Sequence, residues 1–157
     1  MAEIKTLRNI ELFSDLNNSS LKHYKELCRW KHYNPNDIII EQTDETNDVY
    51  FIIEGKVRVA NVSSSGKEVT LEILNTGHCF GELAAIDNSP RSSNVSAVEH
   101  TFVAIMKSTV FLNAIEDNPS VAVRLIEMMA SVIRTSSERI VDLITLGAND
   151  RVLAELL

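Results

Sequence analysis

The chain of 157 residues carries 22 acidic against 15 basic residues, a formal charge of −7, with 45% hydrophobic and 24% charged residues. That is the composition of one globular domain with an added element, and its acidity argues against a surface built to grip a nucleic-acid backbone. Cys28 and Cys79 stand apart with no CxxC spacing, and His23, His32, His78 and His100 do not cluster, so neither a disulfide framework nor a metal site is expected.

The start "MAEIKTLRNI" lacks the regions of a signal peptide, and no apolar run approaches the roughly 20 residues of a membrane span. A cytoplasmic setting with reduced thiols and no membrane partner is expected. Up to about Tyr33 the chain reads as helical, with Ser19 or Ser20 capping a helix whose apolar side is Leu21, Tyr24, Leu27 and Cys28. From Asp37 to Met106 it reads as strands. "KVRVA" sets Val57 and Val59 against Lys56 and Arg58, and "EVTLEI" sets Val69, Leu71 and Ile73 against Glu68, Thr70 and Glu72. "SSSG" between them is a hairpin turn. Gly55, Gly66, Gly77 and Gly81 fall at turns of this zone.

Ser108 is expected to cap a short helix ending near Pro119. A long helix follows from about Ser120 to Leu146, stopped by Gly147. Along it Ile126, Met129, Ile133, Ser136, Ile140 and Leu143 are spaced 3, 4, 3, 4, 3. That is the a/d period of a coiled coil and predicts self-pairing into a homodimer. A second set, Leu125, Met128 and Val132, is free to face the strand domain.

Within "FGELAAIDNSPRSSNV", Glu82 and Arg91 lie nine positions apart. Arginine's planar fork matches two phosphate oxygens and stays charged. Gly81 permits close backbone approach, and Ser92 offers a hydroxyl to the same phosphate. A glutamate repels phosphate but accepts from a sugar hydroxyl. Phosphate and ribose together spell a nucleotide. The plainer reading of the two charges taken alone is a surface ion pair of little worth.

"FGELA", a spacer and "PRSS" resemble the phosphate-binding cassette of cyclic-nucleotide-binding domains. "LFSDL", "DVYFIIEGKVRV" and "SSSGKEVTLEILNTGHCFGEL" are similar to other signatures of those domains. "TSSERIVDLITLGANDRVLAELL" resembles the long helix of the bacterial catabolite-activator (CRP–FNR) transcription regulators. The resemblance implies an α+β chain: an antiparallel β jelly roll or barrel with N-terminal helices (1–118), a dimerisation helix (119–147), and a hinge with the start of a helix-turn-helix domain (148–157).

It also implies a ligand, cAMP or else cGMP, and no other cofactor. Gly81, Glu82, Leu83, Ala84, Arg91, Ser92 and Ser93 would hold phosphate and ribose. Ser136 and Ser137 would read the base, one of them from the partner chain, with Val59 and Leu71 as barrel contacts. Ser136 interrupts an apolar seam, though such a serine can also bond back to the carbonyl of Val132. The chain is expected to be the sensing and dimerising part of a longer regulator, with DNA contacted only through a further C-terminal domain.

The chain departs from the family's pattern in three ways. It lacks glycines at "NPND" and "EQTDE", where Asn36 and Asp44 are expected to take the left-handed turns; it has Ser93 where an alanine is usual; and it ends early in the helix-turn-helix. Other readings are a regulatory module of another effector, or a family member sensing haem or a cyclic dinucleotide. No catalytic motif is present, and the cassette explains Glu82 better than an acid/base role beside Asp87 does.

Overall fold

The computed structural model describes residues 6–156. Its strands are β1 Arg29–Tyr33, β2 Ile38–Ile40, β3 Val49–Glu54, β4 Lys56–Val62, β5 Glu68–Asn75, β6 Cys79–Phe80, β7 Asn94–Ala97 and β8 Thr101–Met106. They form two antiparallel sheets, ordered β1-β8-β3-β6 and β2-β7-β4-β5. The helices are α1 Asn18–Glu26, α2 Glu82–Asp87, α3 Ser108–Asp117 and α4 Pro119–Leu156. The expected jelly roll with helices on either side in sequence is the fold observed.

The two sheets close on a shared core that includes Tyr33, Ile40, Ile52, Val57, Val95 and Val103. Every residue of β8 is buried. That strand lies inside the first sheet, whose other face carries its own aromatic packing. Phe51 of β3 meets Phe13 at 4.9 Å and Phe111 of α3 at 6.2 Å between ring centroids. A strand covered on both faces reads as a continuous apolar run, as "TFVAIM" does. The second sheet is covered on one face only, so Ile38 stays 61% exposed.

Several expected boundaries shift. The N-terminal helix ends at Glu26, and the stretch Arg29–Tyr33 pairs with β8 as a strand. Asn17, not Ser19 or Ser20, caps α1, its side chain accepting from the Ser20 N–H at 2.8 Å. Lys107 occupies the cap position before α3, which places Ser108 inside the helix. Asn36 is left-handed as expected, with φ of 71°. Asp44 is not; its carboxylate instead accepts from the Glu41 N–H at 3.0 Å and closes the turn by a side-chain bond. Gly147 does not stop α4, whose helical backbone continues to Leu156.

The largest revision concerns β5. Ile73 pairs with Arg58, and Glu72 pairs with Val59, but the register slips between Val59 and Ala60, which pairs with Thr70. Leu71 is the extra residue of a β-bulge, which breaks the two-residue period. Ile73 therefore lies on the outward face with Arg58 and Ser96. Glu72 lies on the core-facing side with Val59 and Val95.

By contacts the chain divides after Ala122. In the first unit, Asn118 Nδ2 donates to the Tyr24 hydroxyl at 2.9 Å and ties the end of α3 to α1. The second unit is the remainder of α4. Leu125 is buried there, whereas Ile126, Ile133, Ile140 and Leu143 are each more than half exposed. Among the described residues no helix is long and apolar enough to cross a membrane.

Gly55 turns β3 into β4 at φ of 109°, and a Cβ there would meet the His100 carbonyl and the Thr101 hydroxyl at 2.6 Å each. The fully buried Thr101 hydroxyl lies within bonding distance of the Lys56 and Glu99 carbonyls. Gly55→Ala combines backbone strain with overpacking and is expected to cost about 2–4 kcal/mol of unfolding free energy. Urea denaturation measures it; a midpoint equal to wild type would contradict the steric argument.

Candidate functional site

The site forms where β6 runs into α2. Gly81 precedes the helix with φ of 80°, a left-handed conformation that costs other residues energy. An added Cβ would also sit 2.8 Å from Arg91 Nη1 and 2.9 Å from the Asp48 carbonyl. The glycine is therefore required twice, by the turn and by the guanidinium lying against it. The first turn of α2 leaves the amides of Glu82, Leu83 and Ala84 without intrahelical acceptors. Leu83 projects outward at 44% exposure, and Ala84 is buried.

Arg91 is only 4% exposed. Its Nη1 donates to the Gly81 carbonyl at 3.0 Å, and its Nη2 donates to the Asp48 carbonyl at 2.9 Å and the Thr46 hydroxyl at 3.2 Å. Its Nε has no hydrogen-bond partner among the described residues. Burial lowers the guanidinium's pKa, and Tyr50, Asp48, Asp44 and Glu82 each push it back up. No ion pair involves Arg91 among the described residues. The surface pair of Glu82 with Arg91 is thus not what these residues make.

Glu82 is half-buried. Burial raises its carboxyl pKa above the ordinary value. Its own backbone N–H opposes that rise, the charge of Glu72 adds to it, and Arg91 offsets it weakly. Ser92 is exposed and Ser93 half-buried. The Ser92 carbonyl accepts from Gln42 Nε2 at 3.3 Å. The Asn61 amide, turned with its nitrogen toward these groups, donates to the Ser92 carbonyl at 3.3 Å and the Ser93 hydroxyl at 3.1 Å.

The fold thus brings Gly81 and Glu82 to Arg91, with Ser92 and Ser93 directly after it in the chain. Val59 flanks them on the core-facing side, half-buried, and Leu71 occupies the bulge. Ser136 and Ser137 belong to the other unit, exposed on α4, and neither hydroxyl makes a hydrogen bond among the described residues. Sequence reasoning missed Thr46 and Asp48, which anchor Arg91. The Asp48 contact is through a backbone carbonyl, which no side-chain pattern reveals. It also missed Glu72, hidden by the bulge. A groove of about 420 Å³ lined by Ile38, Glu41, Arg58, Glu68 and Ser96 lies on the outward face of the second sheet and contains none of the expected ligand residues.

Residues 30–118 match the family model described as cyclic nucleotide-binding domain. The chain belongs to the cyclic nucleotide-binding domain family. It is 30% identical over 139 residues to the cAMP-activated global transcriptional regulator CRP of Salmonella typhimurium, a match covering 88% of this chain and 66% of that protein. The crystal structure of the Thermus thermophilus catabolite activator protein superposes with a TM-score of 0.76 at 28% identity, over 86% of this chain and 63% of that one. The regulatory domain of Toxoplasma gondii PKA with cAMP shares the fold at 23% identity and a TM-score of 0.62, over 68% of this chain and 41% of that one. This cyclic nucleotide-binding domain is thus of the CRP type, and it spans less than two thirds of the length of the curated relatives it matches.

The raised Glu82 pKa has a consequence for stability. Its folded-state value lies above the unfolded one, so its favourable contribution is complete below the unfolded pKa and is lost as pH rises through the folded pKa. Without nucleotide, Glu82→Gln is expected to melt above wild type near neutral pH, with the gap shrinking toward about pH 4. Calorimetry at both pH values checks this; a gap independent of pH would remove Glu82 as its source.

Proposed function

We propose that the chain is the cyclic-nucleotide sensing and dimerising domain of a DNA-binding transcription regulator, with cAMP its ligand and no catalytic role. The observation that carries this is Arg91: a residue only 4% exposed, with no carboxylate in ion-pair contact and its Nε unpartnered among the described residues. Such a cation invites a single anion of matching shape. A cyclic phosphodiester carries one negative charge and suits it. Gly81, the amides opening α2, and Ser92 and Ser93 complete the phosphate end, and Glu82 accepts from the ribose 2′-hydroxyl. Val59 and Leu71 flank the base. Ser136 and Ser137 offer hydroxyls to its edge.

The identity to CRP supports the regulatory reading, and DNA binding belongs to a part of the whole protein beyond this domain. The exposed seam of α4 supports pairing of two chains, because large aliphatic side chains at a/d spacing gain by burial against a second copy. Nucleotide binding then biases two arrangements of the paired helices, to the extent that it binds one of them better.

Arg91→Ala is expected to weaken cAMP binding by about 2–5 kcal/mol, and Arg91→Lys to restore only part, since an ammonium lacks the fork. Titration calorimetry with cAMP decides; full-strength binding by Arg91→Ala would end this reading. For assembly, Ile133→Asp faces two charges across the seam and is expected to convert a dimer to monomer in analytical ultracentrifugation. A monomeric wild type at micromolar concentration would refute the seam.

A further inference from the structure

The bulge at Leu71 gives the site a residue that neither the cassette nor the alternating pattern accounts for. Glu72 pairs with Val59, which pairs in turn with the buried Val95. Two residues along β5, Leu74 pairs with Val57 on the same face and packs on the core. Glu72 is thus an exposed carboxylate on the core-facing side of an edge strand. It stands near enough to Glu82 for its charge to act on that carboxyl. It forms no ion pair among the described residues, unlike its strand neighbour Glu68, which meets Arg58 at 2.7 Å on the outward face.

The chemistry follows from position. In the proposed site Glu82 takes the ribose 2′-hydroxyl, on the sugar carbon next to the one bearing the base. A second carboxylate near Glu82 that makes no ion pair with Arg91 among the described residues is placed to meet the base and not the phosphate. An ionised carboxylate only accepts hydrogen bonds, through two oxygens side by side. Guanine presents two adjacent donors, N1–H and the N2 amino group. Adenine presents one donor, the N6 amino group, beside the bare N1 acceptor, whose lone pair a carboxylate repels.

We propose that Glu72 reads the base, and that its carboxylate narrows the preference for cAMP by favouring a base with two adjacent N–H donors, as in cGMP. This rests on the cyclic-nucleotide reading of the site and deepens it. The bias opposes whatever the α4 hydroxyls contribute toward adenine.

The discriminating variant is Glu72→Gln, which keeps shape and changes the paired acceptors into a donor beside an acceptor. That pair fits the N6 amino group and N1 of adenine, and at the N1–H and N2 amino edge of guanine it loses one bond. Wild type and Glu72→Gln are titrated with cAMP and with cGMP by calorimetry. The Kd ratio of cAMP to cGMP is expected to fall about tenfold in the variant, with cGMP weakened and cAMP tightened. If Glu72 acted only as charge near the phosphate, both nucleotides would tighten by one factor, and the proposal would be overturned. An unchanged ratio overturns it as well while leaving the site reading intact. Binding of neither nucleotide by wild type would overturn both. Glu72 is exposed, so the substitution leaves the core in place, and melting temperature confirms the fold in each titration.

Discussion

Burying the Arg91 guanidinium costs solvation that only hydrogen bonds and nearby negative charge return, and the way it is returned organises the surrounding chain. One nitrogen is fixed to the Gly81 carbonyl. Another is shared between Asp48 and Thr46 at the entrance to β3. Three segments far apart in sequence are held in one place by this single cation. It lies in the space a Cβ at residue 81 would need, so position 81 must be glycine. Glu82, next in sequence, is thereby drawn into partial burial, and its carboxyl pKa rises for that reason. The acid and the base of the cassette are coupled through backbone geometry more than through direct attraction.

Much of this was legible in the residues. The strand zone, the Gly66 hairpin and the cassette stand out because each depends on local signals: turn residues, short apolar runs, a distinctive string. The strand β1 was hidden because "RWKHY" has no alternation and is exposed over most of its length; pairing with β8 makes it a strand. The cap of α1 went to Asn17 over the serines because its side chain reaches the amide three residues on. Gly147 is an ordinary helical residue, since a lone glycine lowers helix propensity without ending a helix.

The long helix shows the opposite case, in which sequence carries more than one chain displays. The seven-residue repeat of Ile126, Ile133 and Ile140, with Leu143 three further on, fixes a face, and the structure leaves these side chains exposed. Ser136 sits in the same row with its hydroxyl unbonded among the described residues, so it does not fold back on the carbonyl of Val132. Periodicity specifies which surface is available for burial. What buries it lies in assembly, beyond the reach of a single chain's contacts.

The extra residue in β5 decides which side chain faces the barrel. Leu71 is the residue left out of the ladder, so Val59 stands opposite Glu72 and Ala60 opposite Thr70. The same residues paired without the bulge, Leu71 opposite Val59, would turn Glu72 outward opposite Arg58 without any change in the cassette. The surroundings of Arg91 and the side chain that β5 turns toward the barrel are thus specified separately. One is written in a local string, the other in the register of an edge strand. A single slip of that register would change the barrel's lining and leave the Arg91 cradle as it is.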